Sequence, residues 1–402
     1  MSEDASRFEW ARPRTGDERA GSTTGPEAVR GTPRGATPSA GESDAREARR
    51  TQRQRARPTE ATRDPRVTDA DDRVSTSERS RVRFRFRATG PAETAPVVRD
   101  GTVFLGCANG CTHAFDADDG TERWSFRVAG RVTAPAVADG VVYSGTNGGT
   151  VLALDAATGD RRWEFAADGA VQAAPAVADR TVFVAAEDGR VAALHAADGS
   201  RLGAFRNAAR ALCALAVDGE RLLLASLDGG AYAHDLTDGR EHWRFEPSLA
   251  VRDAPAVADG VAYLGTVDDG RVYALSAVTG REQWRAETGA GVWASPTIAD
   301  GTVFVGSGDG TVYALDADDG TVAWRTDVGA RIWASPTVAD EAVIVGTDAG
   351  DVYAIAREEG TVLWWYRADD AVVAPVTVAD KTAYVADRGG AVTALSLTED
   401  SV

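Results

Sequence analysis

Ala153-Leu-Asp-Ala-Ala-Thr-Gly-Asp-Arg-Arg-Trp163 decides the fold, because it returns along the chain at a nearly fixed spacing. Residues 114–124 form one copy and Ala314-Leu-Asp-Ala-Asp-Asp-Gly-Thr-Val-Ala-Trp324 another; further copies end at Trp243, Trp284 and Trp364. Each is followed by a short strand, a loop and an Ala-Pro or Ser-Pro pair. A period of about 20–50 residues marks a repeat architecture and outranks local signals.

Aligned on the proline, the repeats fall at Pro96, Pro135, Pro175, Leu215, Pro255, Pro296, Pro336 and Pro375, at intervals of 39, 40, 40, 40, 41, 40 and 39. No stretch between them is left over. Within one repeat the pattern reads as four short strands. Residues 134–140 form a strand ending in an Asp-Gly turn, and 141–145 form the second strand. Thr146-Asn-Gly-Gly149 is a hairpin turn, with Asn and Gly expected at positive φ. Residues 150–154 and 161–165 make the third and fourth strands, and the proline opens its strand, where a missing N–H is tolerated. Four strands per repeat is the unit of a propeller blade.

The repeat count predicts how the ring closes. Seven repeats are complete and the eighth, from 374 to about 397, supplies only three strands. The alternating segment Arg81-Val-Arg-Phe-Arg-Phe-Arg87 reads as the missing strand, with Phe84 and Phe86 near the register of Trp124 and Phe126 after a one-residue shift. The expected fold is all-β: an eight-bladed propeller of four-stranded antiparallel blades over 81–402, closed by the N-terminal strand. Closure removes two sheet edges that would invite aggregation.

Residues 1–80 differ in kind. They contain no Leu or Ile and only three Val, so they cannot bury enough apolar surface to offset ordering entropy, and a disordered tail is expected. Phe8 and Trp10, in Arg7-Phe-Glu-Trp-Ala-Arg12, are its only aromatics, and read either as chance composition or as a short docking motif. Residues 46–66 carry eight Arg, which suits contact with an acidic partner, with nucleic acid or with the acidic body itself.

The net charge is −17. The tail is near neutral, with 16 Arg against 15 acidic residues, while the rest carries 28 basic and 46 acidic groups. Such a body repels phosphate backbones, so no nucleic acid is expected at the propeller. Lys381 is the single lysine, and abundant Asp with little Lys suits a salt-adapted organism. No apolar segment reaches membrane-spanning length and the N-terminus lacks a signal-peptide core, so a cytoplasmic monomer without a membrane span is expected.

The consensus Ala-x-Asp-x-x-Thr-Gly-x-x-x-Trp resembles the tryptophan-docking motif of the pyrroloquinoline quinone (PQQ) repeat family. Residues 153–163 carry every fixed position, and 114–124 and 314–324 carry Asp for Thr. The resemblance gives Trp124, Trp163, Trp243, Trp284, Trp324 and Trp364, with Phe84, structural roles between blades. A Trp there can bury about 150–250 Å². Blade 3 has Gly203 at that position and blade 4 has Leu215 for the proline, so these two should be the weakest part of the ring. The family includes quinoprotein dehydrogenases, which bind PQQ and calcium in the central funnel using adjacent cysteines and a Glu/Asn/Asp site. This chain has no Cys-Cys pair and no long insertions, so neither PQQ, calcium nor dehydrogenase activity is expected. It is more similar to the family's non-enzymatic, BamB-like branch, which implies a protein-interaction scaffold with an unknown protein partner. The alternative is a small-ligand or PQQ-binding sensor or oxidoreductase using the funnel.

No catalytic triad or metal-spaced cluster stands out. His113 and His234 occupy Leu-like positions in third strands, and Asp116, Asp155, Asp235 and Asp316 are expected to accept turn N–H groups. Cys107 and Cys111 flank a hairpin turn, where Thr146 and Thr150 stand in the next repeat; they are either free thiols or a redox pair. Trp293 and Trp333 are outside the docking motif. Both lie three residues before the proline, where other repeats have Glu93, Val132, Gln172, Leu212, Arg252 and Val372. With Arg252 one blade away, they form the candidate binding face.

Overall fold

The computed structural model describes residues 81–398 except 211, 248 and 249. The tail of residues 1–80, with the Phe8/Trp10 motif and the Arg-rich stretch, lies outside the described residues, as do 399–402.

The described chain forms eight four-stranded antiparallel sheets, one per repeat, with no helix among these residues. Blade 2 is typical: Ala136–Ala138, Val141–Gly145, Thr150–Asp155 and Arg161–Ala166 pair in chain order, from the innermost strand to the outermost. The Asp-Gly turn after the innermost strand has Asp139 at φ 49° and Gly140 at φ 70°, the two positive values that a tight hairpin with matching twist requires. In the next turn Gly149 is positive, at φ 83°, but Asn147 is not, contrary to expectation. Its side chain is used instead: Asn147 Oδ1 accepts the Arg131 N–H at 2.8 Å, tying the turn to the preceding loop.

The ring closes as the repeat count requires. Val82–Arg87 pairs with Ala391–Ser396 as the outermost strand of blade 8. Phe84 faces Ala394 as Trp124 faces Ala114, so the one-residue shift is not needed. The irregularity between Val82 and Phe84 matches the bulge that precedes Trp124 in blade 1.

The seams between blades repeat one contact. The indole N–H groups of Trp124, Trp163, Trp243, Trp284 and Trp324 donate to the carbonyls of Ala156, Ala196, Ala277, Ala317 and Arg357 of the following blade, at 2.8–3.0 Å. Each ring lies over a turn glycine of that blade; a Cβ on Gly320 would sit 2.6 Å from Trp284. That close approach and the glycine's φ of +75° explain the Gly in the motif. Trp364 faces blade 8, where the chain ends supply the packing: Arg81 lies over its ring at 5.3 Å.

Blades 3 and 4 depart from the pattern where the sequence departs. Gly203 has no ring to dock, and Phe205 leans over Gly239 instead. With Leu215 in place of proline, blade 4 recovers a backbone donor, and its innermost strand, Leu212–Asp218, runs seven residues against three elsewhere.

Candidate partner-binding face

The chain enters each innermost strand from a loop that rides on a hairpin turn of the preceding blade. One buried apolar residue anchors each loop. Val292 N–H bonds Thr266 O at 3.0 Å, Ile332 N–H bonds Ser307 O at 3.3 Å, and Val372 N–H bonds Thr347 O at 2.9 Å. Gly291 permits the approach in blade 6, since a Cβ there would lie 2.0 Å from Val267 O. The residue after each anchor is more exposed. Around the ring that position is Glu93, Thr133, Gln172, Cys213, Arg252, Trp293, Trp333 and Val373.

This alignment corrects the sequence reading at three places, one of them Leu212, a fully buried anchor that pairs with Ser226 as Val132 pairs with Thr146. Val132 and Val372 stand three residues before their prolines, as the tryptophans do, but both are fully buried anchors equivalent to Val292. The true counterparts of Trp293 there are Thr133 and Val373. The 39-residue intervals ending at Pro135 and Pro375 each reflect one residue lost between anchor and proline.

The structure brings Trp293, Trp333 and Arg252 together. The two rings meet edge to face, with centroids 4.5 Å apart and planes at 66°. The Arg252 guanidinium lies 5.4 Å from the Trp293 ring centroid, as a cation over a π face. At the other end Trp333 Nε1 donates to Asp348 Oδ2 at 3.3 Å. Arg252, Trp293, Trp333 and Asp348 thus form a continuous arc across blades 5, 6 and 7. Both tryptophans are half-buried and Arg252 is exposed. Beneath the arc, Asp253 accepts the N–H groups of Ala254 and Ser295 at 2.8 and 3.1 Å, holding the Arg252 and Trp293 loops in fixed relation. Asp348 escaped the sequence reading because it lies in a hairpin turn; the cue was that these turns share an end of the ring with the entry loops. Elsewhere on that end the same position is ionic: Glu93 pairs with Arg131 and Arg388 at 2.8 and 2.9 Å.

The remaining candidates are placed as follows. Cys107 and Cys111 are buried free thiols on either side of their turn, joined by a 2.8 Å backbone bond from Cys107 N–H to Cys111 O. Burial, and then the neighbouring Cys111, pushes the Cys107 pKa up to about 12, so it is a protonated thiol at neutral pH. His113 is buried between Glu122 and Thr89, at 2.8 and 3.0 Å. His234 is buried against Asn207 and Phe205, and desolvation holds its pKa below the ordinary value. The turn aspartates behave as expected: Asp116, Asp155, Asp235 and Asp316 each accept turn N–H groups. Bonds from Arg123 and Arg162 hold Asp116 and Asp155 below the usual carboxylate range.

A cavity of about 370 Å³ opens in the seam between blades 2 and 3. Its apolar floor includes Phe165, Val184, Ala192 and Ala204, and Arg190, Arg201 and Arg206 border it. In the seam between blades 4 and 5 the equivalent of Ala192 is Tyr273, whose ring meets Phe245 at 5.0 Å. Two alanines in place of the Tyr273–Arg285 pair therefore create the space. The sequence reading missed it, although the small residues were visible in the aligned repeats.

Among the described residues, no donor set matches the PQQ and calcium chemistry associated with the resemblance. No group of three or more His, Cys, Asp or Glu is arranged to hold a metal among the described residues. Cys107 and Cys111 are separated by a turn and buried. No helix among these residues is long and apolar enough to cross a membrane.

Comparison with known proteins agrees with this architecture. The family profile described as outer membrane protein assembly factor BamB matches residues 66–134, 108–213, 206–291 and 268–399. No curated protein matches the sequence directly. Among solved structures, BamB from Moraxella catarrhalis superposes with a TM-score of 0.68 at 19% identity, over 78% of this chain and 98% of that one. Sqt1 from Saccharomyces cerevisiae gives 0.71 at 13% identity, over 79% and 99%. The quinohemoprotein alcohol dehydrogenase ADHIIG from Pseudomonas putida HK5 gives 0.63 at 16% identity, over 81% and 78%. At these identities the structural likeness is one of fold. The family profile covers most of the chain, which therefore belongs to the PQQ-like propeller family that includes BamB.

Proposed function

We propose that this chain is a non-catalytic scaffold that binds a protein partner through the entry face of the propeller. The arc of Arg252, Trp293, Trp333 and Asp348 is the observation that carries the reading. Trp and Arg dominate the energetic centres of protein interfaces, because they bury large area while keeping a polar handle. Here neighbouring blades and fixed loops hold them in place, so little side-chain entropy remains to be lost on binding. The membrane assembly factor that gives the family profile its description makes a protein partner the natural class. The acidic, lysine-poor composition favours work in a salt-rich cytoplasm, and the closed ring favours a monomer; light scattering at native salt should return the mass of one chain.

Affinity capture at native salt tests the proposal, with wild type set against a Trp293→Ala/Trp333→Ala variant shown to be folded. The expected result is a partner retained by wild type and lost by the variant. An identical partner set on both forms would remove the entry face from the account.

The cavity between blades 2 and 3 favours a second, small-ligand reading. Its volume lies in the range of ligand pockets, about 300–1,000 Å³. The Tyr273–Phe245 contact one pair of seams away shows that this geometry accepts an aromatic ring. An aromatic carboxylate would place its acid group near Arg201. Calorimetric titration with 4-hydroxyphenylacetate should then show binding that Ala192→Tyr abolishes; absence of heat with wild type would exclude this ligand class.

A further inference from the structure

The two entry-face tryptophans differ at their indole N–H groups. Trp333 Nε1 donates to Asp348. The blade 6 residue equivalent to Asp348 is Gly308: its N–H bonds Gly291 O at 2.9 Å, as Asp348 N–H bonds Arg331 O at 3.0 Å. Gly308 has no side chain to accept with, and even a Cβ there would lie 3.7 Å from Trp293 Nε1. Among the described residues Trp293 Nε1 therefore has no hydrogen-bond acceptor, and it reaches solvent. The backbone acceptors beside it are in the opposite state. Ala250, Gly291 and Arg331, each two residues before a member of the arc, already accept the N–H groups of Val267, Gly308 and Asp348. The exposed acceptors that remain are carboxylates: Asp268, Asp309 and Asp348, on the hairpin turns of blades 5, 6 and 7.

This inventory selects the backbone of the partner. An α-helix bonds its carbonyls internally and has none to spare for Trp293 along its length. A partner strand needs a sheet edge, whereas the sheets end here in turns. It would also bring N–H groups to a surface whose loop carbonyls are taken. A polyproline II segment has open carbonyls, and its prolines bring no N–H. Its rings pack on aromatic side chains, and the adjoining Trp293 and Trp333 offer two indoles. We propose that the entry face binds an extended, proline-rich segment of a partner protein that also carries arginine. A carbonyl of the segment accepts from Trp293 Nε1, and the arginine meets the hairpin carboxylates. This inference rests on the scaffold reading above and names the chemistry of its partner. Arginine suits the site better than lysine, because its guanidinium is weakly hydrated and pairs bidentately with a carboxylate. Arg252 over Trp293 is the same guanidinium–indole packing within the chain. Molar salt shortens the Debye length to about 3 Å, so direct contacts rather than long-range attraction hold the segment.

Fluorescence anisotropy on the full-length chain at native salt tests this, with a labelled, blocked peptide of repeated Pro-Pro-Arg units. Saturable binding is expected. Trp333→Ala should weaken it by about tenfold or more. Trp293→Phe keeps a ring and removes the N–H, so it should weaken binding roughly three- to tenfold, the worth of one hydrogen bond. A Gly-Gly-Arg peptide of the same length and charge should bind about tenfold more weakly or worse, because it is not preformed and carries extra N–H groups. Absence of saturable binding would overturn the proposal. So would equal affinity for the two peptides, or for wild type and Trp293→Phe. If the peptide fails while the double tryptophan variant still loses a captured partner, the entry face stands and this partner chemistry falls.

Discussion

The seam tryptophans and the entry-face tryptophans share a residue type and differ in nearly every physical respect. At the seams each ring is 5–9% exposed, and in five of the six the N–H is satisfied by a backbone carbonyl of the next blade. On the entry face Trp293 and Trp333 are half-buried and pack on each other, and Trp333 reaches a carboxylate rather than a backbone group. The first arrangement is closed: ring, carbonyl and glycine leave nothing to bind. The second is open, with a cation at one end and an anion at the other. Position in the repeat, not residue type, decides which work a tryptophan does.

Substitutions should separate the two regions by size of effect. Trp284→Ala removes a buried ring and leaves its cavity, so a loss of about 3–5 kcal/mol is expected in chemical denaturation. A loss below about 1 kcal/mol would mean that the seam relaxes into the space. Gly320→Ala attacks the same seam from the other side. Its Cβ would meet Trp284, and the left-handed backbone alone costs roughly 1–2 kcal/mol, so a clear drop in Tm is expected. Arg180→Gly should act in the opposite direction. Arg180 holds φ 63° in the turn where Gly140 stands in blade 2, and relieving it should raise stability by up to about 1 kcal/mol in the same assay.

The smallest effect is on pH dependence. Asp116, Asp155, Asp198 and Asp319 have lowered pKa values in the folded ring, through bonds from Arg123, Arg162, Ser200 and Thr321 in turn. A lowered folded value contributes stability above the ordinary carboxylate range, which is lost as pH falls through the folded values. Melting between pH 7 and pH 3 should show a shallow decline, because Asp198 and Asp319 are exposed, Asp116 and Asp155 are partly so, and solvent screens all four. Asp116→Asn should flatten it slightly.

Much of the ring was legible in the sequence because its information is periodic. The proline intervals set eight blades, and the three-strand eighth repeat required Val82–Arg87 to close it. The adjacency of Trp293 and Trp333 followed from equal positions in consecutive repeats. What failed was local and non-periodic. One-residue deletions moved Val132 and Val372 out of phase, and only the buried anchor contacts reveal this. Asn147 was assigned a backbone role that its side chain fills elsewhere. Asp348 and the cavity beside Ala192 depend on contacts between elements that the linear pattern does not order.

Thermal unfolding of Trp293→Ala/Trp333→Ala at native salt, set against wild type, tests most directly whether the entry-face pair is kept for binding rather than for the fold. A Tm within a few degrees of wild type is predicted, since half-buried rings at a loop surface contribute little to the core. A fall as large as that of Trp284→Ala would contradict the account and make the pair a structural part of the ring.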